Sequence, residues 1–231
     1  MTAAVSALGV CLCLAAWAPG QTTVQDPADV TRERELKIPE ILQALALKEG
    51  DSVADVGAGD GFYDAPLSRT VGAGGRVYAE DIDEKGSIKS LHDRVSKNHL
   101  GNVEVILGAP DDPKLPLGAL DGVLMVIAYH EVEDPGKMAA RILAALKPGG
   151  RFVVVDMIPH KTLTRPRAAQ AKNHVIAPDL AESEIRAAGF EVVSRDDRFI
   201  DNPDEESVRW MIVSRKPPGA GHSAVSTGHG D

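Results

Sequence analysis

The stretch VADVGAGDGFYDA, residues 53–65, decides how the chain is read. It continues a run that reads as a buried strand over 52–56, and glycine then stands at every second position, at Gly57, Gly59 and Gly61. A strand that breaks into a glycine-rich turn and re-enters a helix is a typical first unit of an open α/β sheet, where ligands bind beyond the carboxyl ends of the strands. The dinucleotide fingerprint needs its last glycine one place further along, where Phe62 stands, and no Gly-Lys-Ser/Thr follows to hold a triphosphate. The loop therefore suits a ligand that approaches the backbone closely without presenting a pyrophosphate. Asp55, two residues before Gly57, would repel a phosphate and welcome a cation.

Outward from this loop the pattern alternates. A helix is expected from about 61 to 71, a strand over 76–82, a helix over 84–97, a strand over 102–108, a strand over 122–128, a helix over 135–146, the turn KPGG, and a strand over 151–158. Parallel strands need long crossovers, and right-handed ones dominate, so the alternation predicts a doubly wound α/β sheet with helices on both faces. Upstream, Ile38, Ile41, Leu42 and Leu45 share a helix face in a segment that turns helical from Thr31 and stops at Gly50, while residues 21–31 read as irregular. Downstream, 159–177 is basic and irregular, PDLAESEIRAAGF reads as a helix from Pro178 to Gly189, and strands are expected at 190–195 and 208–215. The division is a leader over 1–20, a linker over 21–34, one domain over 35–216 and a tail over 217–231 too poor in apolar residues to pack.

The 231 residues suffice for one good core. With 43% hydrophobic and 26% charged residues the composition is that of an ordinary globular protein, and a formal charge of -9 works against a nucleic-acid backbone as partner. Residues 1–21 carry no charged side chain, hold an apolar run from Ala7 to Ala16 and end in Ala16-Trp17-Ala18, which reads as a cleavable export signal. An uncleaved anchor and a mis-assigned start are the alternatives, since no Lys or Arg precedes Arg32. The apolar run is shorter than the ~20 residues a spanning helix needs, so no stable membrane span is expected after cleavage. Cys11 and Cys13 both lie in the leader, which leaves an exported chain without thiol chemistry.

Strand two ends in YAEDID, which places Asp81 beside the glycine loop, where an acid can accept both hydroxyls of a ribose. Asp55-x-Gly57-x-Gly59-x-Gly61, the acid ending strand two, and LKPGGRFVVVDM together resemble the class I S-adenosylmethionine-dependent methyltransferases over residues 35 to 215. The resemblance implies their Rossmann-like sheet, mostly parallel with an antiparallel last strand. It also implies S-adenosyl-L-methionine as cofactor and a small-molecule methyl acceptor. Gly57, Ala58, Gly59 and Gly61 would form the loop along the cofactor's amino-acid moiety, with Asp55 supporting its ammonium. Asp81 would hold the ribose, Ile82 would pack on the adenine, and an acid after strand three, Asp111 or Asp112 with Asp112 preferred, would receive the adenine amino group. The stretch NHVIAPDLAESEIRAAGFEVV resembles a group of predicted small-molecule methyltransferases often found with export signals.

Methyl transfer is an in-line displacement at a sulfonium, so the protein mainly aligns the acceptor. For a hydroxyl acceptor His130, at the end of strand four, is the expected general base, and Tyr129 is expected to wall the methyl site. His160 and His174 flank the segment after strand five and could be imagined as metal ligands with Glu131 and Glu133, but no two of these histidines share a helix turn or hairpin spacing that would preform a site, so no metal site is expected. Export would separate the enzyme from a cofactor made in the cytosol. Two other readings follow from that conflict, a nucleoside-binding module without transfer and an interaction protein of the cell envelope.

Overall fold

The computed structural model describes residues 27–160 and 166–219. The expected leader and residues 220–231 of the expected tail lie outside them. Seven strands form one sheet: β1 (Ser52–Val56), β2 (Arg76–Asp81), β3 (Val103–Leu107), β4 (Leu120–Val126), β5 (Leu146–Pro159), β6 (Glu191–Ile200) and β7 (Ser207–Arg215). Their spatial order is β3-β2-β1-β4-β5-β7-β6. The first five strands are parallel, and β7 runs antiparallel to both β5 and β6. The order reverses between β1 and β4, which opens a crevice at their carboxyl ends.

The helices are α1 (Pro27–Glu35), α2 (Ile38–Leu45), α3 (Asp64–Val71), α4 (Ser87–Lys97), α5 (Pro135–Ala145), α6 (Arg167–Ala171) and α7 (Pro178–Ala187). Both faces of the sheet are covered, which is why β1 is buried at four successive positions instead of alternating. On one face Ile38, Ile41 and Leu45 of α2 and Leu67 and Val71 of α3 pack on Val53, Val77 and Val153. On the other, Met138, Ile142 and Ala145 of α5 and Ala181 and Ile185 of α7 meet Val123, Phe152 and Trp210. Each fully buried Leu or Ile contributes about 1.5–3 kcal/mol relative to an exposed one. Trp210, fully buried, donates its indole N–H to the Ile176 carbonyl at 2.8 Å, which fixes the chain between α6 and α7 to the sheet.

Several boundaries differ from the sequence reading: α6 lies within 159–177, read as irregular, and β4 spans Leu120–Val126, not 122–128. Residues 27–35, expected to be mostly linker, form α1, whose Asp29 in the first turn and Arg32 and Arg34 in the last complement the helix dipole. Its charged side chains reach the domain, with Arg32 on Asp60 at 3.4 Å and Glu33 on Arg69 at 2.6 Å, and Lys37 at φ 50° separates it from α2. The KPGG turn lies inside β5, where pairing jumps from Leu120–Leu146 to Gly122–Arg151 and Gly149 takes φ 81°. β6 runs on to Ile200 because its polar residues occupy the sheet's edge, where charges such as Arg195, Asp197 and Arg198 discourage another strand from pairing.

Candidate functional site

At the crevice lies a cavity of about 540 Å³, within the usual range for small-molecule sites. The β1–α3 loop supplies one wall. Gly57 (φ 72°) and Gly59 (φ 59°) both adopt the left-handed backbone that side chains resist. Their surroundings differ. A Cβ built on Gly57 would come within 2.6 Å of the Ala128 Cβ, so glycine here lets β1 and β4 close on each other. A Cβ on Gly59 meets nothing within 4 Å, and Gly59 lines the cavity. Gly61 does not line it; its Cβ would strike Asp64 and Leu91, so it serves the packing of α3 on α4.

Asp81 and Ile82 line the cavity at the end of β2, with Ile82 52% exposed. One Asp81 oxygen accepts the Gly59 N–H at 3.0 Å and the other accepts the Asp83 N–H at 3.0 Å. A carboxylate offers about four acceptor positions, so capacity remains for a ligand's hydroxyls. Ala58 is buried and ties the loop to β2 through its N–H on the Glu80 carbonyl at 2.9 Å.

Asp55, by contrast, is 1% exposed and lies beneath the loop instead of in the wall. Burial raises its pKa well above the carboxylate range, and the charges of Asp64, Glu80 and Asp81 push it further. Asp64, raised to about 7 by burial against the pull of Arg94, and Glu80, raised to about 8 by burial against the Gly57 N–H, make up the rest of an acid layer under the site. Asp55 Oδ2, both Asp64 carboxyl oxygens and Glu80 Oε1 have no hydrogen-bond partner among the described residues. Glu80 fits only because Gly108 opposes it; a Cβ at 108 would fall 1.7 Å from its Oε1.

After β3 the wall is Pro110, not an acid. Asp112 closes a short turn with Ala109, caps the Lys114 N–H at 3.0 Å and pairs with Arg141, and Asp111 pairs with Lys137. The cations of α5 draw both acids away from the cavity, a pull that the sequence register alone does not reveal.

The chain leaves β4 through Ile127 at φ 53°, a costly conformation for a β-branched residue, held by its N–H on the Val155 carbonyl at 2.8 Å. It then makes a single 3-10 turn, Tyr129–Glu131. Tyr129 does not wall the cavity. It is fully buried in the core below, donates to Glu184 Oε2 at 3.0 Å, and has its pKa raised by burial and by the Glu184 charge. Arg167 holds this turn from α6, donating to the carbonyls of Val132 at 2.6 Å and Tyr129 at 3.1 Å.

His130 is 2% exposed and sits just behind the wall, while its neighbours Ala128, Glu131 and Val132 line it. Its Nδ1 lies 2.9 Å from Asp156 Oδ1, and its backbone N–H donates to Asp156 Oδ2 at 2.9 Å. Burial opposes a charge on His130, but the hydrogen bond and charge of Asp156, with the charge of Glu131, outweigh it and raise the pKa. Asp156 and Glu80 were not singled out in the sequence. The signal for Asp156 was present, an acid interrupting the apolar run FVVVDMI, where an ionisable group is rarely buried without a partner.

Among the described residues five acids, Glu80, Asp81, Asp83, Glu131 and Glu133, line the cavity, and no Lys or Arg does. Such a wall rejects phosphates and accepts a cationic ligand. The ammonium and sulfonium of S-adenosylmethionine fit this charge, the open face at Gly59 admits a chain against the backbone, and the spare acceptors of Asp81 suit a ribose.

Comparison with known proteins bears on the same residues. A family model described as a methyltransferase domain matches residues 54–154. The chain is 26% identical over 175 residues to the ubiquinone/menaquinone biosynthesis C-methyltransferase UbiE of Cronobacter sakazakii, covering 74% of this chain and 68% of that protein. Its structure is similar to that of a SAM-dependent methyltransferase from Aquifex aeolicus, with TM-score 0.66, 25% identity, and 83% and 99% of the two chains covered. It also shares its fold with the geranyl diphosphate C-methyltransferase of Streptomyces coelicolor in complex with Mg2+, geranyl diphosphate and S-adenosyl-L-homocysteine, at TM-score 0.66 and 13% identity over 85% and 89% of the chains.

Proposed function

This chain belongs to the class I S-adenosylmethionine-dependent methyltransferases, and we propose that it methylates a small molecule with an apolar body and a polar edge. The observation that carries the reading is the wall of five acidic side chains at the switch point of the sheet. When bound, the cofactor supplies an activated methyl group on a sulfonium. The protein's part is to hold, align and dehydrate.

Gly57 and Gly59 hold the amino-acid end along the backbone, and Asp81 holds the ribose. Asp55 acts through the loop, as one of the buried acids that a nearby cation would drive toward ionisation. Ile127, Val132 and Met138 form the apolar part of the wall on the side of β4 and α5, and Glu131 and Glu133 form its polar edge. An acceptor enclosed there is shielded from water. Its proton, where it has one to lose, leaves at the edge occupied by Glu131 and backed by His130 and Asp156.

Isothermal titration with S-adenosylmethionine and with S-adenosylhomocysteine tests this reading. Micromolar binding of both is expected. Asp81→Ala weakens it at least ~100-fold, because two hydrogen bonds to a charged acceptor are lost at about 1.5–3 kcal/mol each. Unchanged affinity in that variant would remove Asp81 from the site, and a folded chain that binds neither compound would overturn the reading.

A further inference from the structure

The edge of the cavity holds a cluster that ribose and amino-acid binding do not use. His130, Glu131 and His174 bring one nitrogen of each imidazole and one carboxylate oxygen within 4.8 Å of one another. The two rings stand edge to face, 5.8 Å between centroids. His174 comes from the end of α6, 43 residues along the chain from Glu131, and is held in the left-handed backbone at φ 54°.

The hydrogen bonding of His130 assigns its nitrogens. Nδ1 faces both oxygens of the buried Asp156, at 2.9 and 3.1 Å, so a ring proton sits there, and whenever the ring is neutral its lone pair is on Nε2. That lone pair faces Glu131 Oε1 at 3.5 Å, and the same oxygen lies 3.1 Å from His174 Nδ1. A lone pair and a carboxylate oxygen that face each other are satisfied by a positive centre between them, either a second ring proton on Nε2 or a metal ion that takes its place. A carboxylate on the far nitrogen of a histidine is also the outer support that metal-ligating histidines use, because it fixes the tautomer and the ring. Glu131 and His174 have side chains 63% and 75% exposed, free to turn onto an ion, whereas His130 is already fixed.

We propose that His130 Nε2, Glu131 and His174 bind a divalent cation of the Zn2+ class, with Asp156 as the outer partner of His130. Two imidazoles and one carboxylate suit Zn2+ and its borderline neighbours better than Mg2+, which keeps oxygen ligands and water. Three protein ligands leave a position open. Because Glu131 belongs both to the cluster and to the cavity wall, the ion lies at the cavity's edge. Acceptors with a hydroxyl or carboxylate oxygen are the class that it would select. That selectivity rests on the methyltransferase reading; the binding of the ion does not.

The test strips the full chain with a chelator and titrates it with Zn2+ against a chromophoric competitor, and with Co2+ by its visible spectrum. The comparison is the double variant Glu131→Gln/His174→Ala, whose exposed positions leave the core untouched, as a thermal melt would confirm. The expected result is one site that weakens at least ~100-fold in the double variant, with the Co2+ absorption bands lost. Equal affinity and stoichiometry in the two proteins would overturn the proposal, as would a chain that binds no Zn2+. S-adenosylhomocysteine is titrated in parallel. Its binding without the metal difference sinks the metal site alone, and the metal difference without its binding sinks the methyltransferase reading alone.

Discussion

The two ends of the cavity are built in opposite ways. The end at β1 and β2 is made of neighbours in sequence, with Gly57 and Gly59 in one turn, Glu80 and Asp81 in one strand end, and the Gly59 N–H on Asp81 joining them. Much of its chemistry is backbone, so its signature is glycine and strand-end acid. The end at β4 is assembled from three distant segments, the Tyr129–Glu131 turn, Asp156 of β5 and His174 after α6, and its chemistry is carried mainly by side chains. A site for an invariant cofactor can be written in a short motif. A site for an acceptor is spread over whatever segments the fold brings together.

The ends meet where Gly57 faces Ala128, and the largest effect is expected there. Gly57→Ala introduces a Cβ 2.6 Å from that of Ala128 at φ 72°. Left-handed backbone costs about 1–2 kcal/mol, and the overlap adds about 1–3 kcal/mol. A fall in Tm of roughly 5–15 °C follows for a domain of this size. Gly59→Ala separates conformation from contact, since its Cβ meets nothing. It should cost only the backbone part, about 1–2 kcal/mol, while weakening cofactor binding. Equal melting temperatures for the two variants would show that the ends do not press on each other.

The second effect is confined to the cofactor end. Glu80 has its pKa raised by burial from 4.5 to about 8 and Asp64 from 3.8 to about 7, so the native state holds protons that the unfolded chain releases. Their contribution is complete below the unfolded values and is lost as pH rises through 7 to 8. Thermal melts of the cofactor-free protein should therefore fall from pH 5 to pH 8.5. In Glu80→Gln the slope should flatten, with the remainder due to Asp64 and Asp55. A slope unchanged by Glu80→Gln would mean that Glu80 is ionised in the cofactor-free protein.

The smallest effect marks where the acceptor end stops. Tyr129→Phe removes a hydrogen bond to Glu184 in the core and leaves the cavity wall intact. A loss of about 1 kcal/mol in stability is expected, with cofactor affinity and turnover within twofold. A tenfold loss of turnover with unchanged stability would return Tyr129 to the site.

Much of this was legible in the sequence. The strand-glycine-helix unit and the alternation of elements gave a doubly wound sheet, and the loop and strand-end acid put Gly57, Gly59 and Asp81 at one cavity wall. These features are local, set by backbone conformation and by hydrophobic period over five to ten residues. Residues whose role depends on a distant partner were not legible in the same way. Asp112 follows β3 as an adenine ligand would, but Arg141 of α5 claims it, and Tyr129 adjoins a catalytic candidate yet points into the core. The pairing of His130 with Asp156, 26 residues away, and the arrival of His174 beside Glu131, 43 residues away, come from long crossovers, and the unpartnered acids under the loop meet only once α3 and β2 pack on β1. The sequence by itself determined the sheet and the place of the glycine loop and its strand-end acid, because a parallel strand entering a glycine turn has few ways to fold. Only the tertiary structure decided the end at β4, because side chains from separate segments meet there through packing, and packing leaves no period in the sequence.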